Sequence, residues 1–356
     1  MTNPNMGVFI GRFQPFHSGH LHVVKSALGI FPNFNLLICL GSANDPRRAD
    51  YIPFTWQERE AMIRSCLTGE ENKRVVCMPI EDSAYNLSDW VASVQEAATM
   101  AATLFGIDSP SVHLIGHAKD NSSFYLKLFP QWSSINVENH RGLSATPFRL
   151  QYFSDVDGVA EKALAEAFDN RTVPAAVLNF LWSFMDTEDY KRLVAEQAFI
   201  EKYKSAWSAA PYKPMFITTD AVVVQGGNIL LIERKAMPGQ GLWALPGGFL
   251  EQDERIEDGI LRELREETGL KIPTPVLKGS IVGEIRVFDA PHRSSRGRTV
   301  THAALIHLEP QGGTGLPKVK GLDDAAKAKW WPIAEVHRGM MFEDHFAIIR
   351  TMLGRI

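Results

Sequence analysis

Apolar residues in the first third of the chain fall into short runs separated by stretches in which they recur every three or four positions. The short runs Gly7–Ile10, Leu36–Leu40, Val75–Pro79 and Val112–Ile115 predict strands. The periodic stretches His20–Leu28, Thr55–Leu67 and Ser88–Leu104 predict helices. Thr55 stands where an N-cap belongs, with Glu58 at the third position to complete a capping box. Strands alternating with helices imply an α/β domain, a doubly wound parallel sheet of Rossmann-like form. Ligands on such sheets bind beyond the carboxyl ends of the strands. The loops that begin at Gly11, Gly41, Pro79 and Gly116 would lie there.

From about 147 to 208 the pattern is helical, with apolar positions at helical spacing in Asp155–Phe168 and Asp189–Trp207. Pro211-Tyr212-Lys213-Pro214 stops the last helix. After it, Phe216–Val224 reads as a strand, Gly226-Gly227-Asn228 as a hairpin turn, and Ile229–Ile232 as the returning strand. A strongly acidic helix follows, then strand-like runs at Val282–Phe288 and His302–His307, an α+β arrangement. The expected organisation is an N-terminal domain over 1–185, a helical linker over 186–211 and a C-terminal domain over 212–356. A length of 356 residues suits two domains.

Composition narrows the class. An apolar share of 45% supports ample cores, so disorder is not expected. A net charge of −4 argues against a general nucleic-acid or membrane-surface binder. Cys39, Cys66 and Cys77 have neither metal-site nor disulfide-framework spacing and are expected reduced, in a cytoplasmic protein. No basic segment followed by an apolar run opens the chain, and no apolar stretch is long enough to span a bilayer.

The richest chemistry lies in 248–270. Gly248 is followed by Glu254, then by Arg262-Glu263-Leu264-Arg265-Glu266-Glu267 and Gly269-Leu270. Glu263, Glu266 and Glu267 lie at i, i+3 and i+4, so a helix sets all three on one face. Three like charges repel, and a divalent cation is the neutraliser that carboxylate oxygens suit. A solvated face laced with Arg262 and Arg265 is the plainer reading, but Leu245-Pro246-Gly247 and the spacing of the glycines, arginine and acids fit together as one pattern.

A second constellation lies between the first strand and first helix. Gly11-Arg12-Phe13-Gln14-Pro15-Phe16-His17-Ser18-Gly19-His20 places two histidines around a glycine at a helix start. Backbone N–H groups there favour anions, and imidazoles can donate to a phosphate. Leu143-Ser144-Ala145-Thr146-Pro147-Phe148-Arg149 sets two hydroxyls and an arginine at another helix start; Arg149 suits a triphosphate or leaving pyrophosphate.

These residues carry two resemblances. Residues 6–185 resemble archaeal-type nicotinamide-mononucleotide (NMN) adenylyltransferases, members of the HxGH nucleotidyltransferase superfamily. The match rests on Gly11–His20, Gly41-Ser42-Ala43, Pro53-Phe54-Thr55 with Glu58-Arg59, Asp82 with Trp90, Gly116-His117 with Lys119-Asp120, and Ser144–Arg149. The resemblance implies ATP-phosphate binding by His17, His20 and Arg149, with Arg12 in support. It extends ATP contact to Gly11, Phe13, Gly116, Ser144 and Thr146. It gives the nicotinamide to Asp82, which can accept from a carboxamide, and to Trp90, which can stack on a cationic ring. Ala145 stands where that family often has glycine. The segment Asp45–Ile52 is longer than the family's usual link, which leaves open whether Arg47 or Arg48 faces the nucleotide.

Residues 248–270 match the Nudix box, and 214–350 resemble Nudix ADP-ribose pyrophosphatases. That implies an Mg²⁺ site, with Mn²⁺ as an alternative, formed by Gly248, Glu263, Glu266 and Glu267, with Glu254 joining the metal shell or orienting Arg262. Arg293, Arg296 and Arg298 form a basic loop that would grip substrate, and Glu343 is a candidate distant base. The order of domains resembles the bacterial family that fuses the two activities. The implied function is adenylyl transfer from ATP to NMN and hydrolysis of ADP-ribose, with small nucleotides as the partners and no nucleic acid or membrane. A homo-oligomer is left open. The alternatives are a regulator that senses NAD metabolites through a non-catalytic Nudix domain, and Nudix activity on NADH or another dinucleotide. Residues after 320 are too few and too mixed in charge for a DNA-binding helix pair, which disfavours the regulator.

Overall fold

A computed structural model describes residues 5–30, 33–116, 127–138, 140–310 and 315–354. The chain divides into two compact units, Met1–Ala198 and Phe199–Ile356.

In the first unit the elements follow in the order β1 (Asn5–Gly11), α1 (Ser18–Ile30), β2 (Asn35–Leu40), α2 (Trp56–Ser65), α3 (Gly69–Lys73), β3 (Val75–Pro79), α4 (Leu87–Leu104), β4 (Ser111–Gly116), β5 (Ser133–Asn136), α5 (Ala145–Tyr152), α6 (Val159–Asp169) and α7 (Ala175–Phe184), and α8 (Glu188–Ser205) begins there and continues into the second from Phe199 on. The sheet order is β3-β2-β1-β4-β5 and every pairing is parallel. The chain therefore reverses direction across the sheet between β1 and β4, the switch point where ligands bind such folds. Strand β2 is buried along almost all its length, because helices cover both faces. One face holds Phe9, Leu36, Ile38 and Leu40 with α1, α2 and α7. The other holds Val8, Ile10, Leu37 and Cys39 with α4. Helix α2 begins with the expected capping box, Thr55 Oγ1 accepting from Glu58 N–H and Glu58 from Thr55 N–H.

The second unit continues with β6 (Met215–Gln225), β7 (Asn228–Arg234), β8 (Trp243–Ala244), β9 (Gly247–Phe249), α9 (Ile256–Thr268), α10 (Thr274–Gly279), β10 (Ile281–Phe288), β11 (Arg298–His307), β12 (Ala325–Pro332) and α11 (His345–Met352). Its mixed sheet has the order β10-β11-β6-β7-β12, with β8 on β7 and β9 on β6. Strands β11 and β6 run parallel and the remaining neighbours antiparallel. Ile260, Leu261 and Leu264 of α9 pack on Ala221, Val223, Ala304 and Ile306. Glu267, seven positions after Ile260, is buried along that same face, and Glu263 flanks it. Strand β12 was not legible in the sequence: alanine and lysine alternate through most of it, and neither favours strands. Among the described residues no helix is long and apolar enough to cross a membrane.

Candidate active sites

Strand β1 ends at Gly11, and the loop that follows is tied down by side chains rather than by regular structure. Gln14 is buried and pairs with the backbone of Phe54, its Nε2 donating to the carbonyl at 2.9 Å and its Oε1 accepting from the N–H at 3.0 Å. Arg59, fully buried on α2, donates to the carbonyls of Arg12 (2.8 Å), Gly41 (2.7 Å) and Thr55 (3.2 Å). Burial lowers the Arg59 guanidinium to about 10. The loops after β1 and β2 are thus clamped by one residue.

His17 and His20 close the loop. Their rings stack with centroids 3.6 Å apart. His17 Nδ1 accepts from Gly19 N–H (3.1 Å) and His20 N–H (3.4 Å), and His20 Nδ1 from His17 N–H (3.3 Å). With each Nδ1 accepting, the ring proton of a neutral imidazole lies on Nε2. A Cβ at Gly19 would stand 3.0 Å from the His17 ring and would press it out of place by a few tenths of an ångström. Phe13, at φ 53°, packs edge-on to His20 with centroids 4.9 Å apart, and Phe16 lies against the same ring.

Arg149 reaches this loop from α5. It donates to Gln14 O and Asp50 O, each at 2.8 Å, and burial lowers it to about 10. Ser144 caps α5 without a side-chain bond, and Thr146 Oγ1 is 3.4 Å from Arg149 Nη2. The structure therefore brings His17, His20, Ser144, Thr146 and Arg149 together beside Gly11, Arg12 and Phe13. Both arginines of the longer segment are bonded within the unit. Arg47 is consumed by a two-pronged pair with Glu58 (2.6 and 2.9 Å), by Pro53 O and by Asp189. Arg48 bonds Asp50 and stands 5.6 Å from the Tyr51 ring.

Asp82 follows β3 and accepts from Ser42 N–H at 3.2 Å and from the Ser42 hydroxyl. Trp90 lies half-buried in the first turn of α4, 6.2 Å from Phe129 between centroids. Gly116 ends β4 at the same edge of the sheet as Gly11. His117, Lys119 and Asp120 lie outside the described residues. Sequence reasoning missed Gln14 and Arg59 as supports. A signal for Arg59 existed: it shares the inward face of α2 with Met62 and Ile63, an unusual place for a charge.

In the second unit the acidic positions of α9 converge on β9. Gly247 N–H donates to Glu267 Oε2 at 2.8 Å. A Cβ at Gly248 would lie 2.5 Å from Glu263 Oε1, so a side chain there would displace that carboxylate from its place against β9. Arg262 binds Glu254 through two nitrogens (2.8 and 2.9 Å), and its Nη1 bridges Glu263 (2.8 Å) and Glu266 (2.9 Å). Its bond to Glu254 leads the forces that raise Arg262 and lower Glu254. Burial raises the Glu263 carboxyl, and burial with Glu263 and Asp220 nearby pushes Glu267 up to about 8. Among the described residues no three acidic, histidine or cysteine side chains already form a metal cluster, and Arg262 bridges three of these four carboxylates. The donor chemistry nonetheless fits a hard divalent cation: only oxygen ligands, one of them a buried carboxylate that Arg262 does not bond.

The basic loop divides. Arg293 makes a buried two-pronged pair with Asp344, both bonds 2.9 Å, so it braces two loops instead of offering a grip. Arg298 bonds the carbonyl of Asp289. Arg296 lies over the Phe249 ring at 5.3 Å, and its buried Nε has no partner among the described residues. Glu343, at φ 44°, accepts from Ser295 N–H at 3.2 Å. Arg234, missed in the sequence, stacks on Phe342 at 4.0 Å; burial lowers it, with Arg296 repelling and Glu343 and Glu267 attracting it.

Known proteins align with both units. Residues 8–103 match the cytidylyltransferase-like family and residues 215–352 the NUDIX domain family. Over 188 residues the chain is 39% identical to a nicotinamide/nicotinic acid mononucleotide adenylyltransferase of Acinetobacter baylyi, covering 52% of this chain and 89% of that one. Over 164 residues it is 31% identical to an ADP-ribose pyrophosphatase of Methanocaldococcus jannaschii, covering 46% and 85%. A crystal structure of a bifunctional NMN adenylyltransferase/ADP-ribose pyrophosphatase from Francisella tularensis, complexed with AMP and a manganese ion, superposes with a TM-score of 0.85 at 36% identity over 99% of both chains. The chain belongs to the family of bifunctional proteins that join a cytidylyltransferase-like NMN adenylyltransferase to a Nudix ADP-ribose pyrophosphatase.

Proposed function

We propose that the chain is a two-site enzyme of NAD metabolism. The first site transfers the adenylyl group of ATP to NMN, giving NAD and pyrophosphate. The second hydrolyses ADP-ribose to AMP and ribose 5-phosphate. The observation that carries this reading is one chain, alike end to end to the Francisella protein, holding both a histidine–arginine cluster at a parallel-sheet switch point and a carboxylate cluster on α9.

In the first reaction an oxygen of the NMN phosphate attacks the α-phosphorus of ATP, and the bond to pyrophosphate breaks. No protein nucleophile takes part, so the residues act by position and charge. His17, His20, Arg12 and Arg149 hold the triphosphate, with Gly11, Phe13, Gly116, Ser144 and Thr146 lining the ATP side. Asp82 and Trp90 receive the carboxamide and ring of the nicotinamide.

In the second reaction Glu263, Glu266 and Glu267, beside Gly248, would hold Mg²⁺ or Mn²⁺. When bound, the cation supplies charge neutralisation on the pyrophosphate and a more acidic water. Arg262 orients Glu254, Glu263 and Glu266. Arg296 contacts a substrate phosphate. Glu343 takes the proton of the attacking water as its oxygen bonds phosphorus and the bridging P–O bond breaks. Purified protein is assayed with ATP, NMN and Mg²⁺ for NAD, and with ADP-ribose and Mg²⁺ for AMP. Absence of NAD overturns the first half, and absence of AMP the second.

A further inference from the structure

The segment between β2 and α2 that is longer than its family's usual link has a defined form. Arg48 and Ile52 bond each other's backbone, N–H to carbonyl both ways at 2.9 Å, closing a tight loop around Asp50 and Tyr51. Asp50 and Tyr51 each meet an arginine of the first site. The Asp50 carbonyl accepts from Arg149 at 2.8 Å. The Tyr51 ring lies 3.9 Å under the Arg12 guanidinium.

The arginines around this site differ in what their donors are doing. Arg59 spends its donors on carbonyls, Arg47 on Glu58 and Arg48 on Asp50, while Arg149 gives one donor to each of two carbonyls and, among the described residues, keeps Nε. Among the described residues Arg12 makes no ion pair or side-chain hydrogen bond. A guanidinium held over an aromatic ring by its charge still has all five N–H donors to give to other groups, and it can bind phosphate through two parallel bonds. The ring contact also removes rotamer freedom that an exposed arginine otherwise loses on binding.

We infer that Tyr51 is a positioning residue for adenylyl transfer: its ring, 3.9 Å from the Arg12 guanidinium carbon, holds Arg12 in place with its donors presented to the phosphates of ATP. The ring does this work and the hydroxyl does not. The segment is therefore a working part of the nucleotide site. The inference rests on the adenylyl-transfer reading of this site.

The test uses the full-length protein and its own second activity as control. Tyr51→Ala raises the KM for ATP on the order of tenfold, the scale of a cation–π contact that substrate shields from water, with less change for NMN. Tyr51→Phe stays within about twofold of the parent. ADP-ribose hydrolysis is unchanged in both. In an Arg12→Lys background, Tyr51→Ala adds little further loss, because the two residues act as one unit. Equal losses in Tyr51→Phe and Tyr51→Ala, or effects of Arg12→Lys and Tyr51→Ala that multiply, overturn the inference. If the parent protein forms no NAD, the function itself has failed. If the parent is active and Tyr51→Ala matches it, only the role of Tyr51 has failed.

Discussion

Glu267 answers to two opposing demands. Burial favours its neutral form and pushes it to about 8, while cation binding needs the carboxylate. Glu267→Gln keeps the bond from Gly247 N–H through an amide oxygen but removes the charge. ADP-ribose hydrolysis should fall by more than about 100-fold, beyond the usual cost of losing an outer partner of a metal ligand. NAD formation in the same preparation should not change, and parallel losses in both assays would contradict the assignment. His345 sets a pH dependence. It is buried, its Nδ1 accepts from Leu245 N–H at 3.0 Å, and burial depresses its pKa below 6.5. The stability it contributes is present above about pH 6.5 and is lost as pH falls toward the folded-state value. The slope is up to about 1.4 kcal/mol per pH unit. Melting of the second unit followed from pH 7.5 to 5.5 should show this fall. His345→Gln, which retains an acceptor without titrating, should flatten it; an unchanged slope counts against His345.

At the scale of elements, sites are built where strands end and side chains discipline the loops. Arg59 acts from inside α2 on the loops after β1 and β2. Arg59→Met would leave the carbonyls of Arg12, Gly41 and Thr55 buried without that donor. A loss of about 3 kcal/mol is expected in denaturant unfolding of the first unit. Adenylyl transfer should drop while hydrolysis persists, because the clamp serves the first site alone. A stability change below about 1 kcal/mol would mean that water replaces the guanidinium. The helices and strands with strong periodicity were legible from the sequence, as was the capping box at Thr55. The short β8 and β9 and the lysine-rich β12 were not, because their pairing depends on a neighbouring strand and not on their own residues. The basic loop at 293–298 shows the same limit. Its charges were visible, but their partners Asp344 and Asp289 are set by folding.

For the whole molecule, each unit has its own core and its own candidate site. His20→Ala should remove NAD formation and spare hydrolysis, and Glu267→Gln should do the reverse. An equimolar mixture of the two variants should then show both rates at half the specific activity of the parent. A mixture that restores neither would show that each site needs its intact neighbour. Chelation by EDTA should abolish hydrolysis in the parent protein and be reversed by Mg²⁺ or Mn²⁺.

The sequence by itself determined the two fold classes and the histidine and glutamate clusters, and the resemblance those clusters carry implied the reactions. Local periodicity and motif spacing carry that information over a few residues, and helix geometry turns spacing into a shared face. Only the tertiary structure decided which arginines are available. Arg12, Arg47, Arg48, Arg59, Arg149, Arg234, Arg293 and Arg296 carry the same charge in the sequence. Folding spends Arg47, Arg59 and Arg293 on carboxylates and carbonyls, sets Arg12 over the Tyr51 ring, and leaves Arg296 with a buried donor. Hydrogen-bond partners distant along the chain settle what a charged group can do, and sequence spacing does not encode those distances.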